Sequence, residues 1–102
     1  MVIKWTPIAK RNLQDIYYFY LPDTGRKKAL EIVRWIKDET KYLLISPQAG
    51  PFEIIDDIQT PYRYIIKRHW KIYYTIEDKY IRIAFVWDTR RDPQMLRRLI
   101  NY

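Results

Sequence analysis

Hydrophobic and polar positions change period twice along this chain. The opening "VIKWT" alternates Val2 and Lys4 with Ile3 and Trp5 before Pro7, the pattern of a short strand. Thr6 then stands where a helix N-cap belongs, with Pro7 at the first helical position, where a missing amide hydrogen costs nothing. Ala9, Leu13, Ile16, Tyr17 and Tyr20 follow at helical spacing and form one apolar stripe. "LPDTG" interrupts that period, and a second helix is expected from Asp23 or Thr24 through Ala29, Val33, Ile36 and Leu43 or Leu44, ending before Pro47. A loop this short predicts an antiparallel helical hairpin.

"SPQAGP" breaks the helical pattern, and the period beyond it is that of strands. "YRYIIKRH" puts Arg63, Ile65, Lys67 and His69 on one face and Tyr62, Tyr64, Ile66 and Arg68 on the other. "KIYYTIE", a turn at "EDK" and "YIRIAFVWD" complete an antiparallel meander of three strands. Ile81, Ile83, Phe85 and Trp87 make one apolar face of the last strand, expected to be buried against the helical hairpin. "PQMLRRLINY" predicts a short final helix from Pro93. The expectation is a single α+β domain over residues 1–102, β-α-α-β-β-β, with an antiparallel sheet covered by a helical hairpin.

Composition narrows the chemistry. With no cysteine and one histidine, disulfides, thiol nucleophiles and zinc-finger ligand sets are ruled out, and no cofactor or metal is expected. No apolar stretch approaches the roughly 20 residues that span a bilayer, so no membrane role is expected and a cytoplasmic setting is. The net charge of +7 is unevenly placed. Residues 1 to 59 hold nine Lys/Arg and eight Asp/Glu, whereas residues 60 to 102 hold ten and four. A field concentrated in this way favours polyanions or an acidic protein partner.

The candidate chemistry lies in the same half. Arg63, Lys67, His69, Lys71, Tyr73, Arg82, Arg90 and Arg91 are the groups a sheet surface would offer to a phosphate. His69 alone has an ordinary pKa near neutrality, which makes it the general-base candidate. A solvent-exposed residue of the "RHW" turn is the plainer reading of it. Asp56 and Asp57 are read as loop solvation ahead of a Gln-Thr-Pro turn, and most of the tyrosines as half-buried packing residues. Arg90 and Arg91, leaving the sheet in "FVWDTRRDP", are the strongest candidates for target contact, with local ion pairing to Asp88 or Asp92 the alternative.

The element order and "YRYIIKRHWKIYYTIEDKYIRIAFVWDTRRDP" resemble the RelE/ParE superfamily of type II toxin–antitoxin toxins, also described as plasmid stabilisation proteins. The resemblance rests on Tyr62 and Arg63, on Ile72 to Tyr74, and on Asp88, Arg90, Arg91 and Pro93, and covers Val2 to Leu96. It implies a growth-inhibiting toxin, held in a hetero-oligomer by an acidic cognate antitoxin that wraps it. The target would be DNA gyrase for a ParE-like member, or ribosome-bound mRNA for a RelE-like, metal-independent endoribonuclease. Arg63, Lys67, His69, Tyr73, Arg90 and Arg91 are the catalytic or target-binding residues it suggests. In the nucleases a catalytic tyrosine or His-Tyr pair usually follows the last arginine. Here Met95 and Leu96 stand in that region and the only later tyrosine is Tyr102, which tilts the reading towards a non-nucleolytic, gyrase-directed toxin. A generic basic RNA-binding module is the alternative outside the toxins.

Overall fold

The computed structural model describes residues 1–100. Its elements are β1 (Val2–Trp5), α1 (Pro7–Thr40), β2 (Phe52–Ile55), β3 (Ile58–Lys67), β4 (Trp70–Ile76), β5 (Tyr80–Asp88) and α2 (Pro93–Ile100), with 3-10 turns at Lys41–Leu44 and Pro47–Ala49. Thr6 caps α1 as its sequence predicts, accepting from the Ala9 amide at 3.0 Å, with Pro7 following. The helix continues through Pro22 and breaks at Gly25, whose φ of 81° and ψ of 169° lie in a region that glycine adopts far more cheaply than other residues. A straight run of its 34 residues would measure about 51 Å, longer than the 41 Å greatest extent of the molecule. The two arms therefore fold back on each other, and Leu13 of the first and Ile36 of the second enter the same core.

The sheet has the order β1-β5-β4-β3-β2. The expected meander is present as β3, β4 and β5, all antiparallel. Two features extend it. β1 pairs parallel with β5, making the sheet mixed, and β2 adds an edge strand that the sequence pattern does not announce. Asp56 and Asp57, with φ of 52° and 63°, form the two-residue turn between β2 and β3. Gln59, Thr60 and Pro61 belong to β3, where a turn is expected from the sequence. The β2/β3 register shifts opposite Pro61, which has no amide hydrogen to give, and the Thr60 hydroxyl donates instead to the Glu53 carbonyl at 2.9 Å.

Strand β5 corrects one sequence expectation. Tyr73 pairs with Phe85 but Tyr74 pairs with Ile83, so Ala84 is an extra residue, a β-bulge. The bulge reverses the facing of everything beyond it. Ile81, Ile83 and Val86 pack under α1 with Trp70, Ile72 and Tyr74, whereas Phe85 and Trp87 turn to the other face and join Tyr73, Tyr62, Tyr64 and Leu96 of α2. Phe85 and Trp87 are therefore buried, but not against the helical hairpin. Side chains of α1 and its cap satisfy the backbone of β5 near the bulge. The Thr6 hydroxyl donates to the Ala84 carbonyl at 2.6 Å, and Asn12 Oδ1 accepts from the Val86 amide at 2.9 Å.

Candidate functional site

The last rung of the sheet is Lys67, Trp70 and Asp88, cross-strand partners on β3, β4 and β5. Immediately beyond it the β3–β4 connection is the two residues Arg68 and His69, with Arg68 at φ 56°. The Thr89 amide and hydroxyl both donate to the His69 carbonyl, at 2.8 and 2.9 Å, so the end of β5 is tied to this turn. Lys67, His69, Arg90 and Arg91 thus come together at one end of the molecule.

Within that end the two adjacent arginines have different partners. Asp88 Oδ1 accepts from the Arg90 amide at 2.9 Å and Nε at 3.0 Å, and Oδ2 from Nη2 at 2.7 Å. This fork holds the Asp88 carboxyl below the usual carboxylate range and raises the Arg90 guanidinium. The local ion pair weighed from sequence is thus present for Arg90. Arg91 lies instead over the Trp87 ring at 5.1 Å and has no ion pair among the described residues. Asp92 caps α2, its Oδ1 accepting from the Gln94 amide at 3.0 Å. Between the first arm of α1 and this strand end lies a cleft of about 180 Å³, lined by Asn12, Asp15, Phe19, Tyr20, Asp88 and Arg90.

His69 packs its ring on Trp70 at 4.1 Å, and its Nε2 is buried with no hydrogen-bond partner among the described residues. Its pKa is pushed below 6.5, first by burial and then by the charge of Arg90. Lys67 reaches Glu39 of α1 at 3.6 Å.

Two sequence candidates stand elsewhere. Arg63 is four residues from Lys67, about 13 Å along β3. Its Nη1 donates to the Gly50 carbonyl at 2.8 Å and its guanidinium lies over Phe52 at 4.1 Å, so it staples the 3-10 turn to the sheet. Tyr73 is fully buried on the opposite face, stacked on Phe85 at 4.6 Å. Its hydroxyl donates to Glu53 Oε1 at 2.7 Å, and burial, reinforced by that carboxylate, raises its pKa far above its ordinary value. Lys71 donates to the same oxygen at 2.8 Å. Sequence reasoning misses Glu53, because a carboxylate in "FEII" gives no sign of the strand, or of the lysine and tyrosine that receive it. Tyr102 lies outside the described residues.

A helical hairpin over a mixed five-stranded sheet, with cations gathered where the meander ends, defines a small α+β toxin fold of the RelE/ParE superfamily. The chain belongs to the family of ParE toxins of type II toxin–antitoxin systems: the model described as "ParE toxin of type II toxin-antitoxin system, parDE" matches residues 3–93. Among solved structures it is similar to a chain of "Chromosomal ParDE TA system from P. aeruginosa". The TM-score is 0.70 and the identity 27%, over 84% of this chain and 92% of that one. No curated protein matches the chain. Among the described residues no group of three or more His, Cys, Asp or Glu is arranged to hold a metal, and no helix is long and apolar enough to cross a membrane.

Proposed function

We propose that this toxin arrests growth by binding an essential protein, DNA gyrase, and that an acidic cognate antitoxin neutralises it by covering the basic end of the sheet. The observation that carries the reading is the dispersal of the acid–base groups. Metal-free RNA cleavage needs a base for the 2′-hydroxyl, cations for the phosphate and an acid for the leaving oxygen, all within reach of one reacting centre. Tyr73 is buried on the face away from Arg63, with its proton committed to Glu53. Arg63 is spent on a backbone carbonyl. His69 has a buried Nε2 and, among the described residues, no carboxylate or tyrosine hydrogen-bonded to it. What remains at the exposed end is Lys67, Arg90 and Arg91, which bind anions but do not shuttle protons at neutral pH. Membership of the ParE family supports the same choice. The antitoxin is inferred from the solved relative's origin in a ParDE system and from the concentrated positive charge. The reading implies a cytoplasmic protein held in a hetero-oligomer with that antitoxin.

The test is pulsed expression without antitoxin, combining primer extension on cellular mRNA with a supercoiling assay on purified gyrase. Inhibited supercoiling with intact mRNA is expected. Codon-linked mRNA cuts with gyrase unaffected would instead make the protein a RelE-like ribonuclease.

A further inference from the structure

Among the cations with no ion pair among the described residues, five stand at the end of the sheet where the meander stops. Arg26, Lys27 and Lys28 are consecutive and exposed immediately beyond the Gly25 break, and none has an ion pair among the described residues. Arg68 and Arg91 are likewise without a carboxylate partner there, yet both are held in place. Arg68 lies over the Trp35 ring at 4.6 Å and Arg91 over Trp87 at 5.1 Å. A guanidinium resting on an indole keeps its charge and its forked N–H edge, and has less side-chain entropy left to lose when an anion arrives.

The five are gathered at one end. Arg68 follows Lys67 in the last rung, and Arg91 is three residues past Asp88 in the same rung. Tyr20 packs on Trp70 of that rung at 6.3 Å, so the helical tip at Gly25, five residues on, projects about 8 Å beyond it and carries Arg26, Lys27 and Lys28 outward. Trp35 packs with the core under α1 and Trp87 with the core on the other face, and Arg91 also reaches the cleft beside the first arm of α1. Roughly 20 Å along β4 the surface has another character. There Tyr42, Leu44, Ile45 and Ile76 are exposed, and Lys41 is neutralised by Asp38 at 3.0 Å.

We propose that the cationic end binds the phosphate backbone of duplex DNA, without reading bases. Cations on three separate segments suit a ligand that repeats its charge along its length, as duplex DNA does about every 1.7 Å of axis. The two stacked forks match phosphate oxygens in pairs. The proposal goes beyond the gyrase reading and does not depend on it.

Full-length toxin is titrated with a labelled duplex of about two turns, by fluorescence anisotropy, between about 50 and 200 mM salt. Binding that weakens steeply with salt is expected, and Arg68→Ala with Arg91→Ala is expected to flatten the log–log salt slope by about 1.8, two phosphate contacts. Lys41→Ala with Lys79→Ala removes the same charge at the other end and leaves the slope unchanged. Arg68→Lys with Arg91→Lys keeps the slope while losing affinity, because charge survives and the fork does not; this pair carries the test if the alanine variant fails to fold. No duplex binding at low salt would overturn the proposal. So would equal losses from the two alanine pairs, or tighter binding of polyglutamate than of duplex through the same arginines. A toxin that binds duplex DNA yet spares gyrase supercoiling leaves this proposal standing and removes the previous one.

Discussion

Tyr73 and Arg91 are both residues that a sequence reader would send to a phosphate, and burial separates them. Replacing Tyr73 by phenylalanine removes one hydrogen bond from Glu53 but leaves Lys71 on the same oxygen. A loss of about 1 to 2 kcal/mol in urea unfolding is expected, with growth inhibition intact. A nucleolytic tyrosine would give the reverse, a stable protein without activity. Arg91→Ala is expected to change stability by less than about 0.5 kcal/mol and to relieve growth inhibition on plates, since the side chain caps no helix and pairs with no carboxylate among the described residues. If Arg91→Ala stays fully toxic, the strand end is not the contact surface. These roles are only partly legible in sequence. "TRRD" offers two equivalent arginines, and only the Asp88 fork, which needs a particular turn, tells Arg90 from Arg91.

At the scale of elements, the helix starts were the readable part. Thr6 with Pro7 announces a cap by residue type alone, and that cap forms, whereas Asp92, an ion-pair candidate in the sequence, caps α2 instead. The first also does something no local rule contains, since the Thr6 hydroxyl that accepts from Ala9 donates in turn to the Ala84 carbonyl across the sheet. Thr6→Val should therefore cost more than an ordinary cap, about 2 kcal/mol by thermal or chemical denaturation, against roughly 1 for the cap alone. Strand β2 was not readable. It is four residues long, and its polar Glu53 is buried while Ile54 is exposed, the inverse of what alternation leads one to expect. Its approach is set by Gly50, where an added methyl would run into the Tyr64 carbonyl and lie 2.8 Å from the Tyr74 hydroxyl. Gly50→Ala is expected to destabilise by about 2 kcal/mol or more, because the nearer obstacle is backbone and cannot swing aside.

For the whole molecule, acid acts through two groups in sequence. His69 has its folded pKa depressed, so the unfolded chain binds the proton more readily; stability is complete above about 6.5 and falls as pH drops through that value. Asp88 is also depressed, so the stability it contributes is present above its unfolded pKa of 3.8 and is lost as pH falls towards the folded one. Unfolding midpoints should therefore decline between pH 7.5 and 5.5 in the wild type, and decline less in His69→Gln. An equal decline in both would remove His69 from the account. The hairpin, the meander and the concentration of charge are all legible in the sequence at this scale. The division of the aromatic residues into two cores was not, because a single unpaired residue in β5 decides it.

That residue, Ala84, works as a phase shifter. "YIRIAFVWD" scans as a better strand with the alanine taken out, and the shortened chain would keep Phe85 opposite Tyr73 and Ile83 opposite Tyr74, giving by plain alternation the two faces that the bulge now produces. Among changes to this strand, losing one of its smallest side chains, backbone and all, should do less damage than shaving down either of its largest, since only the latter empties the second core.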